Sequence, residues 1–360
     1  MKKIILFIVV SILLGSCKSK DKFTKSYFTT VSIDTLLQDR ISIRALVLDN
    51  EKVWYAADKS RFGSINLKSN QKKEIQIPTE KNSEFRSIAQ TKKYVFILSV
   101  ANPALLYRIS KEDLSYELVY QEKHEKVFYD SMQFWNDLEG IAIGDPIEGC
   151  FSVITTRDGG TTWQKTPANQ LPQLLEGEAA FAASNTNIVI KGNSTWLVSG
   201  GRSARVFFSN NKGKSWSVNE TPMVQGKQMT GIFTADFYDY RTGFISGGNY
   251  EVLTQNVDNK AATRDGGKTW QLMAQNQGFG YASCVQYIPK SKGKELVSVG
   301  ASGLFYSNDG GSNWKQFSTD GSLYTIRFLN ASTAIAAGKN KLIRMYVFKL
   351  KWTFPKRVFS

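Results

Sequence analysis

Four carboxylates have the type to do chemistry together: Asp130, Asp145, Glu176 and Glu178. Two carboxyl groups held about 5–10 Å apart are what cleavage of a glycosidic bond requires. Arg202 and Arg205 could grip an anionic group, and Tyr281 could hydrogen-bond or act with a carboxylate. His124 is the one histidine in the sequence, which excludes centres built from several histidines. As a lone imidazole between Glu122 and Glu125 it reads as a solvated loop residue able to touch a ligand, not as a base. No Ser, His and Asp spacing suggests a nucleophilic triad, and neither metal nor cofactor is expected.

The elements that must position these residues are repeats. "TRDGGTTWQK" (156–165) returns as "TRDGGKTWQL" (263–272), with looser copies "SNNKGKSWSV" (209–218) and "SNDGGSNWKQ" (307–316). Trp163, Trp216, Trp270 and Trp314 therefore recur at steps of 53, 54 and 44 residues. Periods of this size mark stacked supersecondary units. Each turn ends a stretch of alternating, β-branched and aromatic strands broken by Gly and Asn. Three further units, 43–77, 85–120 and 323–347, follow the plan without the turn. The count predicts an all-β, seven-bladed β-propeller of four-stranded antiparallel blades over 27–350. Its ring is expected to be closed by an N-terminal strand, "YFTTVSID".

The repeated turn resembles the Asp-box, or bacterial neuraminidase repeat. Its positions here are Asp158, Gly160 and Trp163, then Asn211, Gly213 and Trp216, then Asp265, Gly267 and Trp270, then Asp309, Gly311 and Trp314. The acidic or amide side chain can accept hydrogen bonds from its own turn, glycine supplies positive φ, and tryptophan fills the gap between sheets. Asn313, where the pattern has Thr or Ser, predicts a weaker fourth copy. The resemblance implies a structural turn between third and fourth strands, facing away from the ligand. Loops at the other end would then bring the carboxylates, Arg202, Arg205, His124 and Tyr281 to one mouth. A sialidase-like site would need Arg44, Arg202, Tyr281 and Asp58 in catalytic roles, and no Arg-Ile-Pro segment precedes the first turn. The domain as a whole also resembles photosystem II stability/assembly-factor-like propellers, carried by "FYDSMQFWNDLEGIAIGDPIEG" (128–149) and "LEGEAAFAAS" (175–184). That resemblance implies a scaffold that binds protein.

The N-terminal order of basic, apolar and small residues reads as a secretory leader over 1–16. "LGSC" resembles a lipobox, which implies lipidation of Cys17; the polar residues around it read as a flexible tether over 17–26, and 351–360 reads as a basic tail. The eleven-residue stretch 4–14, apolar but for Ser11, is too short to span a bilayer, which needs about 20 residues. Lys18 behind the lipidated cysteine favours the outer membrane, facing the periplasm. The net charge is +15, but the lysines are scattered, and no nucleic-acid partner is expected for an exported chain. Cys150 and Cys284 sit in units too far apart for a disulfide, which needs Cα atoms within about 7 Å.

These features read as a lipid-anchored, monomeric, non-catalytic scaffold for a protein or glycan ligand at the channel mouth. The alternative is a glycoside hydrolase or lyase using the mouth carboxylates.

Overall fold

A computed structural model describes residues 27–351. The leader, Cys17, the tether and residues 352–360 of the tail lie outside the described residues. Val31–Phe348 form one compact unit, and the outer ends of the first and last strands fall in a second, smaller one. Among the described residues the only helix is a 3-10 turn at Ala168–Gln170, and no helix is long and apolar enough to cross a membrane.

The strands hydrogen-bond into six sheets, so the propeller has six blades counted this way, not the seven separate ones expected. The last unit has no sheet of its own. Leu323–Asn330 and Thr333–Lys351 join Tyr27–Asp49, Lys52–Ala57, Arg61–Asn66 and Lys72–Gln76 in one six-stranded sheet. The physical reason lies in Tyr27–Asp49, a 23-residue strand with no glycine or proline to interrupt its ladder. The N-terminal strand lies beside Thr333–Lys351 and runs on as a partner of Lys52–Ala57.

Four sheets are plain four-stranded meanders, such as Phe85–Gln90, Tyr94–Ser99, Ala104–Ser110 and Tyr116–Glu122. The sixth, built on Thr230–Phe237 and Gly243–Asn249, gains two short outside strands, Gly200–Gly201 and Glu178–Ala179. Second strands such as Tyr94–Ser99 are covered on both faces and read as unbroken apolar runs. Outermost strands such as Lys72–Gln76 are exposed and charged, which protects a free edge from pairing with other chains.

The core sits between sheets. Ala45, Trp54 and Phe62 pack on Phe85, Ile88 and Ile97 of the next sheet, and Phe96, Leu98 and Met132 meet around Trp163. Cys150 and Cys284 are buried and unbridged.

Each repeated turn links a third strand to a fourth, as Cys150–Thr156 to Gln164–Lys165. Thr156 Oγ1 donates to Asp158 Oδ1 at 2.9 Å and accepts the Gly160 N–H at 2.9 Å. Asp158 also accepts the Thr162 N–H and hydroxyl, at 3.0 and 2.7 Å. Asn211 repeats the pattern with Ser209 and Ser215, and Asp265 with Thr263 and Thr269. The fourth copy is not weaker: the Asn313 side-chain amide reaches Asp309 Oδ2 at 2.7 Å, doing the work of the missing hydroxyl.

The turns also join neighbours. Gly160 packs so closely that a Cβ there would lie 2.2 Å from Phe96 of the preceding sheet, and Gly311 stands in the same relation to Phe244. Trp163 and Trp314 meet those phenylalanines edge-on.

Candidate functional site

Five first strands share one irregularity. The ladder slips by one residue at Arg44, Arg86, Asp130, Phe233 and Tyr324, and again at Asp145 in a second strand. A bulge of this kind leaves its extra residue unpaired and re-aims its side chain. Arg44, Arg86, Phe233 and Asp145 thereby line a cavity of about 780 Å³ at the end of the sheets opposite the repeated turns. In an antiparallel meander the turns between third and fourth strands lie at one end, and loops between second and third strands lie at the other.

The cavity's central wall is the segment 174–183. Glu178 and Ala179 pair with Gly201 and Gly200. Glycine is required at 200, where a Cβ would lie 2.4 Å from Phe181 and 2.7 Å from a backbone oxygen. With that space empty, Phe181 lies flat on Phe233, ring centroids 3.8 Å apart and planes within 7°.

Beyond Phe181 the chain crosses the channel and closes the cavity floor. Arg44 donates to Ala183 O at 3.3 Å, Arg327 to Ser184 O at 3.0 Å, and Asn185 Nδ2 to Ile88 O at 2.8 Å. The Met132 N–H donates to Asn185 Oδ1 at 2.9 Å. Four strands distant in sequence thus hold one short segment.

The four carboxylates have different fates. Glu178 lines the cavity by its backbone, but its carboxylate is fully buried and receives Arg205 Nε at 3.1 Å, Ser199 Oγ at 2.5 Å and the Leu175 N–H at 2.9 Å. Arg205 is correspondingly buried and does not line the cavity. Glu176 stands on the exposed rim with Arg202 at 3.3 Å. Asp145 faces the cavity and accepts the Ala180 N–H at 3.1 Å. Burial pushes its carboxyl up to about 6 against that single bond.

Asp130 lies behind Asp145, 0% exposed, with no hydrogen-bond partner on either oxygen. Burial first and the charge of Asp145 second drive it well above the usual carboxylate range, opposed by Arg86.

Tyr281 lines the cavity beside Phe233, with ring centroids 4.9 Å apart. His124 is elsewhere: it lines a separate pocket with Glu122, Cys150 and Lys165, and its Nδ1 accepts the Lys126 N–H at 3.1 Å. Asp58 is engaged by the Ser42 N–H at 2.8 Å and is outside the cavity. No group of three or more metal-ligating side chains occurs among the described residues. Sequence reasoning missed Arg86, Phe233 and Tyr250. It named Arg44 only for a sialidase role.

No protein-family profile matches the chain, and no curated protein matches it in sequence. Solved structures do. One described as YCF48 bound to D1 peptide aligns with a TM-score of 0.64 at 13% identity, over 89% of this chain and 97% of that one. YCF48 from Cyanidioschyzon merolae gives 0.64 at 9% identity, over 88% and 98%. The WD40 repeats of RRP9 give 0.63 at 12% identity, over 90% and 100%. The likeness establishes a shared β-propeller fold.

Proposed function

We propose that the protein is a non-catalytic binding scaffold whose mouth cavity captures a segment of a partner protein. The observation that carries this reading is the occupation of the carboxylates. Glycoside cleavage needs two of them free across a pocket, whereas Glu178 is taken by Arg205, Glu176 meets Arg202, and Asp130 lies outside the cavity. Asp145 is left with the exposed Glu176, itself ion-paired, as the other carboxylate on the cavity lining. A solved protein of the same fold is described as bound to a peptide, which supports polypeptide over glycan as the ligand class.

In this reading the repeated turn is an Asp-box whose work is fastening. Lipid on Cys17 tethers a monomer to the outer membrane on the periplasmic side, and lipid is its only membrane contact. Membrane fractionation of a Cys17→Ser chain tests the tether, since that protein is expected in the soluble fraction.

Peptide and glycan arrays probed with the intact protein, beside hydrolysis assays on fluorogenic glycosides, test the ligand class. Peptide binding without turnover is the expected result. Turnover abolished by Asp145→Asn would replace the scaffold with an enzyme.

A further inference from the structure

We infer that the mouth selects its partner segment by a bulky apolar side chain, seated against the rings of Phe181 and Tyr250, which Phe233 and Tyr281 back from within the fold. The inference rests on the peptide-capture reading above and adds what the cavity recognises. The four rings form a continuous wall: beyond the Phe181–Phe233 stack, Tyr281 meets Phe233 edge-on and Tyr250 meets Tyr281 at 5.1 Å.

The wall continues outward as exposed apolar surface. Tyr250 is 45% exposed, Val252 48% and Leu253 41% on the same loop, and Leu175 on another segment of the cavity lining is 52% exposed. Single exposed apolar residues are ordinary, but a set gathered on the rim of a concave apolar site marks an interaction surface.

The cations of the cavity are weaker candidates for the selective contact, because the fold already engages two of them. Arg86 is paired with Glu84 at 2.7 Å. Arg44 stacks on Tyr324 at 4.1 Å while donating to Ala183 O. The Nε–H groups of both lack acceptors but are buried. Lys126 is exposed and hydrated at the rim. Among the rings, Phe233 and Tyr281 are buried and back the wall, whereas Phe181 is half-buried and Tyr250 is exposed; covering those two open rings with a phenylalanine- or leucine-sized group strengthens binding by roughly tenfold or more.

Selection of random displayed peptides on the intact protein tests this. Enriched peptides are expected to share one bulky apolar residue, to lose about tenfold in affinity when it becomes alanine, and to bind Tyr250→Ser about tenfold more weakly. The unfolding temperature of that variant should stay within a few degrees of the wild type, because Tyr250 stands at the exposed end of the wall. Enriched peptides lacking the apolar residue, or indifferent to Tyr250→Ser, would overturn the apolar anchor and leave peptide capture standing. No enrichment above an unrelated propeller would overturn both.

Discussion

The repeated turns and the strand bulges both recur from unit to unit, share the units 129–165 and 230–272, and obey opposite rules. At the turns the chemistry is constant: a hydroxyl, an Asp or Asn, a glycine and a tryptophan, making the same bonds each time. At the bulges it varies between units: arginine at 44 and 86, then Asp130, Phe233 and Tyr324. A turn's partners are its own backbone and the preceding sheet, so any change is felt by the fold. A bulged side chain leaves the ladder and is re-aimed, so ladder pairing does not dictate its chemistry. Within a repeat, constancy marks what fastens and variation marks what can read a ligand.

The largest expected effect is at the one mouth carboxylate that behaves like a fastening. Glu178→Ala leaves the Arg205 guanidinium buried without its partner and should cost about 3–5 kcal/mol in denaturant unfolding. Adding Arg205→Met should recover much of that loss. If Glu178→Ala is as stable as the wild type, the pair is not structural and the division between mouth and turns fails there.

Next comes Gly160→Ala, which forces a Cβ to 2.2 Å from Phe96 at a φ of +80°. A loss of about 2–3 kcal/mol is expected, from overpacking and an unfavourable backbone together. Asp158→Ala at the same turn removes only the acceptor for Thr162 and Thr156, and about 1 kcal/mol should go. Equal losses from the two substitutions would show that the carboxylate, not the packing against the neighbouring sheet, is what the turn contributes.

The smallest effect is a pH dependence confined to the mouth. Asp130 and Asp145 have folded-state pKa values above the ordinary carboxylate range, Asp145 at about 6, both pushed up chiefly by burial. Their contribution to stability is present in full below about 4 and is lost as pH rises through the folded values, because the unfolded chain releases its protons first. Asp265, held at about 2 by hydrogen bonds from Thr269 and Thr263 that outweigh its burial, works in the opposite sense: its contribution falls away as pH drops towards 2. Melting curves of Asp145→Asn against the wild type should therefore diverge between about pH 4 and 6 and run parallel below. Divergence only below pH 4 would reverse the assigned direction.

The turns were legible in the sequence because they are local: spacing alone places the hydroxyl, carboxylate and glycine within one loop. Blade count was not. Whether the last unit closes a sheet of its own depends on how far Tyr27–Asp49 continues its ladder, a pairing between opposite ends of the chain.

Loop reasoning brought Asp145, Glu176, Glu178 and Tyr281 to the mouth, but pairing between Glu178 and Arg205 depends on side-chain directions that spacing does not reveal. Arg86 and Phe233 were hidden by a one-residue slip, which period-2 alternation cannot register. A signal was nonetheless present. Aligned by unit, the bulged residues all stand between an apolar and a small residue: Ile43 and Ala45, Phe85 and Ser87, Tyr129 and Ser131, Ile232 and Thr234, Leu323 and Thr325.

Site-specific photo-crosslinking in intact cells tests the division of labour most directly, with the photoreactive residue placed at Leu253 in one strain and at Asp158 in another. Both positions are exposed, so accessibility alone does not favour either. The account predicts a discrete protein adduct from position 253, lost with Tyr250→Ser, and none from position 158. The same adduct from position 158 and nothing from 253 would contradict it, making the repeated turn the binding surface and the mouth a closed end of the fold.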